Sequence, residues 1–279
     1  MSPTDRSPAL VDATWLAAHL GDPRVIVLEA VVGTLPPADR RVPGARRADL
    51  DGSLSDPASD LPHTRPDAER LGVAVRDLGV DAAHHVVVYD AHSVYASARV
   101  RWMLTTAGHA HVSVLDGGLP AWLDAGLPTE PADAPQESVA PGDFVPRAAD
   151  GVVVDADGVQ AVLDSGAAVL VDARSTGRFA GRDPEPRPGL RGGHVPGSVN
   201  LPFTDLLDDG RLRPVDALRA ALDAVAGPDV PVVVSCGSGV TACVVGLAAE
   251  LTGRPYRVYD GSWADWGRPG IRPVETGDA

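Results

Sequence analysis

The sequence predicts an α/β protein of two tandem domains, each a mainly parallel sheet flanked by helices. Short continuous runs of Val, Ile and Leu occur near residues 25–28, 86–88, 169–171 and 232–234. Such runs are typical of strands buried on both faces, as in parallel sheets. They alternate with helical stretches, which favours crossover connections between parallel strands. The 279 residues leave room for two domains of ordinary size.

The same order of features occurs twice along the chain. Each half has a strand pattern, a Val-Pro-Gly turn, a second strand pattern, a helix predicted at 95–107 or 240–251, and a final tryptophan. Corresponding features are roughly 145–155 residues apart, which is the size of one domain. We expect the two tryptophans, Trp122 and Trp266, to lie in domain cores or at a domain interface rather than to stack on a cofactor.

The repeat predicts domains at 1–125 and 151–279. The segment between them, 126–150, is rich in Pro, Ala, Asp and Glu and has no apolar periodicity. It is therefore interpreted as an interdomain linker that crosses the surface.

The charge balance excludes several classes of function. The formal net charge is −14, whereas nucleic-acid binding needs a basic face, so we expect no nucleic-acid partner. All 24 basic residues are arginine, which excludes Schiff-base chemistry on lysine and a P-loop lysine. No apolar run approaches the eighteen or so residues of a membrane span, and the N-terminus lacks a secretory signal. We expect a cytoplasmic protein with no membrane partner.

The chain has only two cysteines, Cys236 and Cys243, too few for a disulfide framework or a zinc site. We expect no metal. Cys243 falls about two helical turns after Cys236, so we expect it to pack in the core without a redox role. A lone cysteine is usually a small buried hydrophobe, and an inert Cys236 in a structural turn is one alternative.

The sequence around Cys236 favours a reactive thiol instead. The segment Cys-Gly-Ser-Gly-Val-Thr-Ala-Cys at 236–243 follows a buried strand and opens a helix, where open α/β sheets place their sites. Gly237 and Gly239 allow successive amides to turn inward as an anion-binding nest. The helix N-terminus adds partial positive charge. Both effects favour a thiolate, so the loop is interpreted as the site of an activated sulfur nucleophile.

Two other readings of this loop fit less well. Gly237, Gly239 and Ala242 match the dinucleotide-binding fingerprint, and Asp260 follows at a suitable distance. However, only one more strand–helix unit fits after the loop, so we expect no cofactor. Cysteine phosphatases carry an arginine six positions after the cysteine, where this chain has Ala242, so nothing would grip a phosphoryl group.

The loop resembles the active-site loop of the rhodanese superfamily, and within it the 3-mercaptopyruvate sulfurtransferase branch. The similarity covers nearly the whole chain and is most specific between residues 172 and 266. The matching segments are Asp-Ala-Arg-Ser-Thr-Gly-Arg at 172–178, Pro-Glu-Pro-Arg at 184–187, Gly-His-Val-Pro-Gly-Ser at 193–198, Asp-Gly-Ser-Trp at 260–263 and Leu-Asp-Gly-Gly at 115–118.

The resemblance implies a two-domain sulfurtransferase in which only the second domain is catalytic. Asp90 stands where the first domain would need its cysteine, and a carboxylate cannot carry sulfane sulfur. Cys236 is expected to take sulfur from 3-mercaptopyruvate, a small-molecule donor, as a persulfide and to release pyruvate. A thiol, a thioredoxin-like protein or cyanide would then accept the sulfur. The amides expected to stabilise the anionic sulfur are those of Gly237, Ser238, Gly239, Val240 and Thr241.

By the same resemblance, Arg178 and Arg187 are expected to hold the carboxylate and keto oxygen of the substrate, which suits the planar guanidinium fork. The alternative is that both are solvated arginines of a surface loop. Ser238 follows the mercaptopyruvate pattern, and its hydroxyl either polarises the substrate or makes a loop hydrogen bond. Other arginines nearby are weaker candidates: Arg174, Arg182 and Arg191.

The first half departs from the family pattern. Arg41 stands where relatives often have a histidine that is proposed to join a proton relay with the loop serine, and Glu29 stands where an aspartate is common. We therefore expect no relay of that type, although Arg41 itself could still face the cleft. His194 keeps its motif in the second half and is expected to brace the turn. A thiosulfate sulfurtransferase and a non-enzymatic persulfide carrier are the alternative functions. A pure carrier would not need Arg178 and Arg187, which favours the enzyme.

Overall fold

The computed structural model describes residues 8–33, 36–136, 138–147, 151–270 and 272–278. The chain divides into two compact units. The described residues of the first unit come from Met1–Ala58, Arg65–Ala149 and Asp209–Leu212, and those of the second from Ser59–Thr64, Asp150–Asp208 and Arg213–Ala279. A short segment from the N-terminal half therefore belongs to the second unit. The predicted linker bounds, 126–150, stay a prediction.

The first unit contains a five-stranded parallel sheet with the strand order β1-β6-β5-β2-β4. Its elements are β1 (Leu10–Val11), α1 (Ala13–His19), β2 (Val25–Val31), β3 (Arg40–Arg41), β4 (Arg46–Asp49), α2 (Ala68–Asp77), β5 (His85–Tyr89), α3 (Ser97–Thr106), β6 (Val112–Leu115), α4 (Gly118–Asp124) and β7 (Glu130–Pro131).

The second unit contains a second five-stranded parallel sheet, with the order β10-β9-β13-β14-β8. The remaining elements of the chain are β8 (Val153–Val154), α5 (Ala156–Ser165), β9 (Val169–Asp172), α6 (Thr176–Phe179), β10 (Val199–Asn200), a 3-10 helix (Phe203–Leu206), β11 (Leu207–Asp208), β12 (Arg211–Leu212), α7 (Val215–Ala226), β13 (Val232–Ser235), α8 (Ala242–Leu251), β14 (Tyr256–Tyr259) and α9 (Ser262–Trp266). The predicted fold class, two parallel-sheet α/β units flanked by helices, is confirmed.

The central strands are buried because their residues are apolar on both faces. Every residue of β13 is buried, as are all but the first residue of β5 and of β9. Trp122 and Trp266 lie in the cores of the first and second unit, as predicted, and each indole N–H donates to a backbone carbonyl. None of the helices in the described part of the chain is long and apolar enough to cross a membrane.

Two helices begin later than the sequence predicts. The helix predicted at 95–107 is Ser97–Thr106, and the helix predicted at 240–251 is Ala242–Leu251. In both places the preceding residues belong to the loop at the carboxyl end of a strand. In the first loop the amides of Tyr95 and Ala96 donate hydrogen bonds to the Asp90 carboxylate. These two residues therefore belong to the loop and not to the helix.

The segment after α4 packs more closely than the linker interpretation expects. β7 pairs with β3 in antiparallel register, with Arg41 opposite Glu130. Further along, the Phe144 side chain is buried, and its amide donates to the carbonyl of Val80 at 3.3 Å. This part of the predicted linker thus packs against the first unit, because it contributes a buried apolar side chain and backbone hydrogen bonds to that unit.

Candidate active site

The candidate nucleophile lies at the carboxyl end of two adjacent strands. In the parallel pair β9–β13, Ser235 is the register partner of Asp172, so Cys236 leaves the sheet next to the residues that follow Asp172. Cys236 is 2% exposed. Its amide donates to the Ser262 hydroxyl at 3.1 Å, and its carbonyl accepts from the Trp263 amide at 2.9 Å. Its backbone is therefore fixed on both sides before the loop begins.

The loop after Cys236 offers several backbone donors. Among the described residues, no acceptor is hydrogen-bonded to the amides of Gly237, Ser238, Val240 or Thr241. Gly239 adopts φ 78°, in the left-handed region that a glycine accepts without strain. A segment that turns successive amides away from helix and sheet partners is an anion-binding arrangement.

The corresponding loop in the first unit shows what such an arrangement binds. Asp90 directly follows β5, as Cys236 follows β13. Its carboxylate accepts six hydrogen bonds of 2.7–3.1 Å, five from backbone amides and one from a hydroxyl, donated by His92, Ser93, Tyr95, Ala96 and Ser97. The first-unit loop thus encloses its own anion. The loop of Cys236 carries no carboxylate at that position.

Ser238 has a partner that sequence reasoning missed. His63 Nδ1 lies 2.8 Å from Ser238 Oγ, and the two residues are 4% and 6% exposed. His63 adopts φ 59°, which is uncommon for a residue other than glycine. No relay of the family type is expected from the sequence because Arg41 stands at the family position, but His63 brings a histidine to the loop serine from another segment. The only sequence signal for His63 is a histidine in a proline-flanked segment without apolar periodicity.

Arg41 is engaged elsewhere, within the first unit. Its Nε donates to Glu130 Oε1 at 2.6 Å, and its other nitrogens donate to the carbonyls of Ala132 and Ala134 at 3.3 and 3.0 Å. Each of the three guanidinium nitrogens of Arg41 thus donates to an acceptor near β3 and β7, and none of these acceptors belongs to the loop of Cys236.

Arg178 contacts the loop of Cys236. Its Nη2 lies 2.9 Å from the point where a Cβ on Gly237 would be, so a side chain at position 237 would displace the guanidinium. Arg178 donates from Nε and Nη2 to the carboxylate of Glu185 at 3.2 and 2.6 Å. The structure therefore brings Arg178 to the loop, but with an acidic partner that the sequence analysis did not anticipate.

A buried charge network holds this arginine. Glu185 also accepts from Arg174 Nη1 at 2.8 Å, and Arg174 donates to Asp172 from Nε and Nη2. Burial alone would lower the pKa of Arg174, but the carboxylates of Asp172 and Glu185 raise it above its ordinary value. The guanidinium lies 4.3 Å above the ring of Trp263, so this network extends to the residue that binds the Cys236 carbonyl.

Arg187 is placed differently. It is half-buried, two residues after Glu185, and makes no hydrogen bond or ion pair with any described residue. Among the described residues, no hydrogen bond or ion pair connects it to the loop of Cys236. Two weaker candidates are engaged in other ways: Arg182 pairs with Asp278 at the surface, and Arg191 donates to the carbonyls of Trp266 and Gly267.

The remaining predicted residues have structural surroundings. Cys243 is buried, and its thiol lies 3.4 Å from the Gly239 carbonyl, which agrees with the predicted core position. His194 stacks on Phe179 at 3.8 Å between ring centroids and binds the Phe179 carbonyl through Nδ1, so it does brace its turn. Within the described ranges, no group of His, Cys, Asp and Glu side chains is arranged to hold a metal ion.

Comparison with known proteins extends this picture. The family model described as Rhodanese-like domain matches residues 12–125 and again 155–268. The chain is 40% identical over 277 residues to the 3-mercaptopyruvate sulfurtransferase of Escherichia coli K12, covering 95% of this chain and 97% of that one. It is 39% identical over 275 residues to the human 3-mercaptopyruvate sulfurtransferase, covering 92% and 91%.

The fold comparison agrees with these sequence matches. The crystal structure of SseA from Escherichia coli, described as a 3-mercaptopyruvate sulfotransferase with a rhodanese fold, superposes with a TM-score of 0.81. The two chains share 36% identity, and the match covers 92% of this chain and 99% of that one. With both halves matched and the identity extending over nearly the whole length, the chain belongs to the rhodanese family as a protein with two Rhodanese-like domains.

Proposed function

We propose that this protein is a 3-mercaptopyruvate sulfurtransferase that carries sulfane sulfur on Cys236. The observation that carries the proposal is the loop after β13. It presents a cysteine followed by four backbone amides, those of Gly237, Ser238, Val240 and Thr241, that have no acceptor among the described residues. The corresponding loop of the first unit is closed around Asp90. A thiol with donors beside it is suited to hold an anionic sulfur.

The first half-reaction transfers the sulfur of the donor. The Cys236 thiolate attacks the thiol sulfur of 3-mercaptopyruvate, forming the S–S bond of a persulfide as the C–S bond breaks. The electron pair of the C–S bond goes to the methylene carbon as an enolate of pyruvate, which takes a proton and leaves. No electrons are gained or lost overall, so the step needs no redox cofactor.

The second half-reaction regenerates the enzyme. An acceptor nucleophile attacks the outer sulfur of the persulfide and Cys236 leaves as a thiolate. The acceptors proposed are a small thiol, a thioredoxin-like protein or cyanide, which would give a persulfide or thiocyanate. The loop amides of residues 237–241 stabilise the negative charge on sulfur in both half-reactions.

Arg178 and Arg187 are proposed to bind the donor's carboxylate and keto oxygen. Arg178 is the better supported, because it lies against Gly237. Arg187 is supported by its motif and by having no partner among the described residues, which leaves its five N–H donors available to a ligand. A carbonyl polarised by a guanidinium makes the enolate a better leaving group.

The two domains have different proposed roles. The second domain, 151–279, is catalytic because it carries Cys236. The first domain, 1–125, is catalytically inactive because Asp90 stands at the end of the corresponding strand and its carboxylate already occupies the loop amides. The segment 126–150 is proposed to connect them.

Thiosulfate is the alternative donor. It carries two negative charges, whereas the loop positions beside Cys236, Gly237 and Ser238, are neutral and the chain has a net charge of −14. Initial rates measured with both donors against cyanide test the proposal. We expect a higher kcat/KM with 3-mercaptopyruvate. Equal or better turnover of thiosulfate would make the protein a thiosulfate sulfurtransferase instead. If neither donor is turned over, the function that remains is that of a non-enzymatic persulfide carrier.

A further inference from the structure

The first unit has a cavity in the place that corresponds to the active site of the second. It has a volume of about 240 Å³. Its walls come from the end of β2, the residues after β5, and the region of β3 and β4. This is the carboxyl edge of the parallel sheet, where ligands of α/β proteins bind. Its polar lining consists mainly of Glu29, Arg41, Arg47, Asp90 and His92.

Most of these polar groups are already engaged. The carboxylate of Asp90 accepts six hydrogen bonds from its own loop. Arg41 donates to Glu130 and to two carbonyls, and His92 Nε2 lies 2.9 Å from the carbonyl of Pro36. A ligand in the cavity would therefore meet two uncommitted charged groups, Glu29 and Arg47.

Glu29 and Arg47 are register partners on the adjacent strands β2 and β4. Partners in a parallel pair project to the same face, with strands about 4.8 Å apart. Even so, neither side chain makes a hydrogen bond or ion pair with any described residue. The Glu29 residue is only 9% exposed, whereas Arg47 is exposed at the rim.

A buried carboxylate without a hydrogen-bond donor beside it is costly. Burial raises the pKa of Glu29 above its ordinary value, because the loss of solvation outweighs the attraction of Arg47 and Arg41. A cationic group beside Glu29 would offset that cost, and an anionic group would suit the exposed guanidinium of Arg47. The ligand should thus carry both charges, separated by a short distance.

We propose that this cavity binds a small zwitterion with the chemistry of a free α-amino acid, its ammonium group at Glu29 and its carboxylate at Arg47. The size is adequate, since a cavity of about 150 Å³ accepts benzene, which has as many non-hydrogen atoms as alanine. The site lies within the first unit and does not depend on the chemistry of Cys236.

The probe for this site is L-alanine, titrated into the ¹⁵N-labelled full-length protein and followed by ¹H–¹⁵N correlation spectra. We expect saturable shifts of the amides of Gly33, Ala91 and Ala132, which line the cavity. Acetate and methylammonium each carry only one of the two charges, so each should bind at least tenfold more weakly than alanine.

Two variants and a matched control complete the test. Glu29→Gln keeps the shape of the side chain, and Arg47→Gln alters an exposed residue, so both should fold. Each should weaken alanine binding roughly tenfold or more, as the loss of one charged hydrogen bond predicts. Arg70→Gln removes an exposed arginine that does not line the cavity and should leave binding unchanged.

Three results would overturn the proposal. They are the absence of saturable shifts at the lining amides, alanine binding that is unchanged in Glu29→Gln, and acetate binding as tightly as alanine. The last result would make the cavity a simple anion site at Arg47.

Discussion

Glu185 accepts two hydrogen bonds from Arg178, one from Nε at 3.2 Å and one from Nη2 at 2.6 Å. This carboxylate is 3% exposed and also pairs with Arg174. The guanidinium proposed to bind the donor is thereby held by one edge against the loop of Cys236. Glu185 is a positioning residue in this arrangement, since it reaches the substrate only through Arg178.

Replacing Glu185 by glutamine should impair both stability and donor binding. The neutral amide leaves two buried or half-buried guanidinium groups short of a counter-charge, which should cost about 3 kcal/mol of unfolding free energy. Arg178 would also lose its fixed orientation, so KM for 3-mercaptopyruvate should rise more than kcat falls. Urea denaturation and steady-state kinetics measure the two effects. Arg182→Ala, which removes an exposed arginine of the same segment, is the control. An unchanged KM in Glu185→Gln would refute the positioning role.

Removing either proposed substrate arginine should weaken use of 3-mercaptopyruvate severely. Loss of a charge-assisted hydrogen bond to a carboxylate costs about 1.5–3 kcal/mol, which is roughly ten- to a hundredfold in kcat/KM. We expect this for Arg178→Ala and Arg187→Ala, with partial recovery in the lysine variants because the fork geometry is lost. Arg187→Ala should leave stability unchanged, as this side chain has no partner among the described residues. If both alanine variants keep the kinetics of the wild type, the donor does not bind at these two arginines.

The fold could be predicted from the sequence because each central strand is marked by a local run of apolar residues. The runs of buried Val, Ile and Leu are continuous, and β13 spans the predicted residues, Val232–Ser235. Placement of Cys236 after a strand and before a helix follows from the same local pattern. The predicted helix starts fall too early, because the loop after each strand and the first turn of a helix have similar sequences.

The side-chain partners in the site could not be predicted in this way. His63 and Ser238 are 175 positions apart, and no periodicity connects them. Likewise, nothing in the local sequence around Glu185 indicates that its carboxylate lies between Arg174 and Arg178. Such contacts depend on how loops cross at the sheet edge, which the sequence pattern does not encode.

The hydrogen bond between Ser238 and His63 should matter for catalysis. Ser238→Ala removes this bond but keeps the loop amide, and loss of one hydrogen bond costs about 0.5–1.5 kcal/mol. We expect kcat/KM for 3-mercaptopyruvate to fall roughly three- to tenfold. Ser198→Ala is a matched control, because it removes another buried serine hydroxyl of the second unit, whose hydrogen bond among the described residues goes to the Val195 carbonyl of the same turn. Equal kinetics for Ser238→Ala and the wild type would make the serine dispensable.

Acidification should destabilise the protein in part through His85. Burial, with a smaller effect of neighbouring histidines, lowers its pKa to about 4 from 6.5. The unfolded chain therefore binds a proton first as the pH falls, so the contribution of His85 is complete above pH 6.5 and is lost between pH 6.5 and 4.

The His85→Gln variant tests this. It keeps a donor for the Ser113 hydroxyl, which lies 2.8 Å from His85 Nε2. The fall in unfolding free energy between pH 7 and pH 5 should be smaller than in the wild type, by up to about 1.4 kcal/mol per pH unit. Some pH dependence should persist, because burial also lowers the pKa of His109. Identical slopes for variant and wild type would contradict the assignment.

Mass spectrometry of the protein after treatment with 3-mercaptopyruvate, without an acceptor, tests the central claim most directly. The intact protein should gain one sulfur atom, and peptide mapping should place it on Cys236, with none on Cys243. Cys236→Ser should gain no sulfur, because an alcohol cannot form a persulfide, whereas Cys243→Ser should be labelled like the wild type. A sulfur found mainly on Cys243, or retained in Cys236→Ser, would contradict the account.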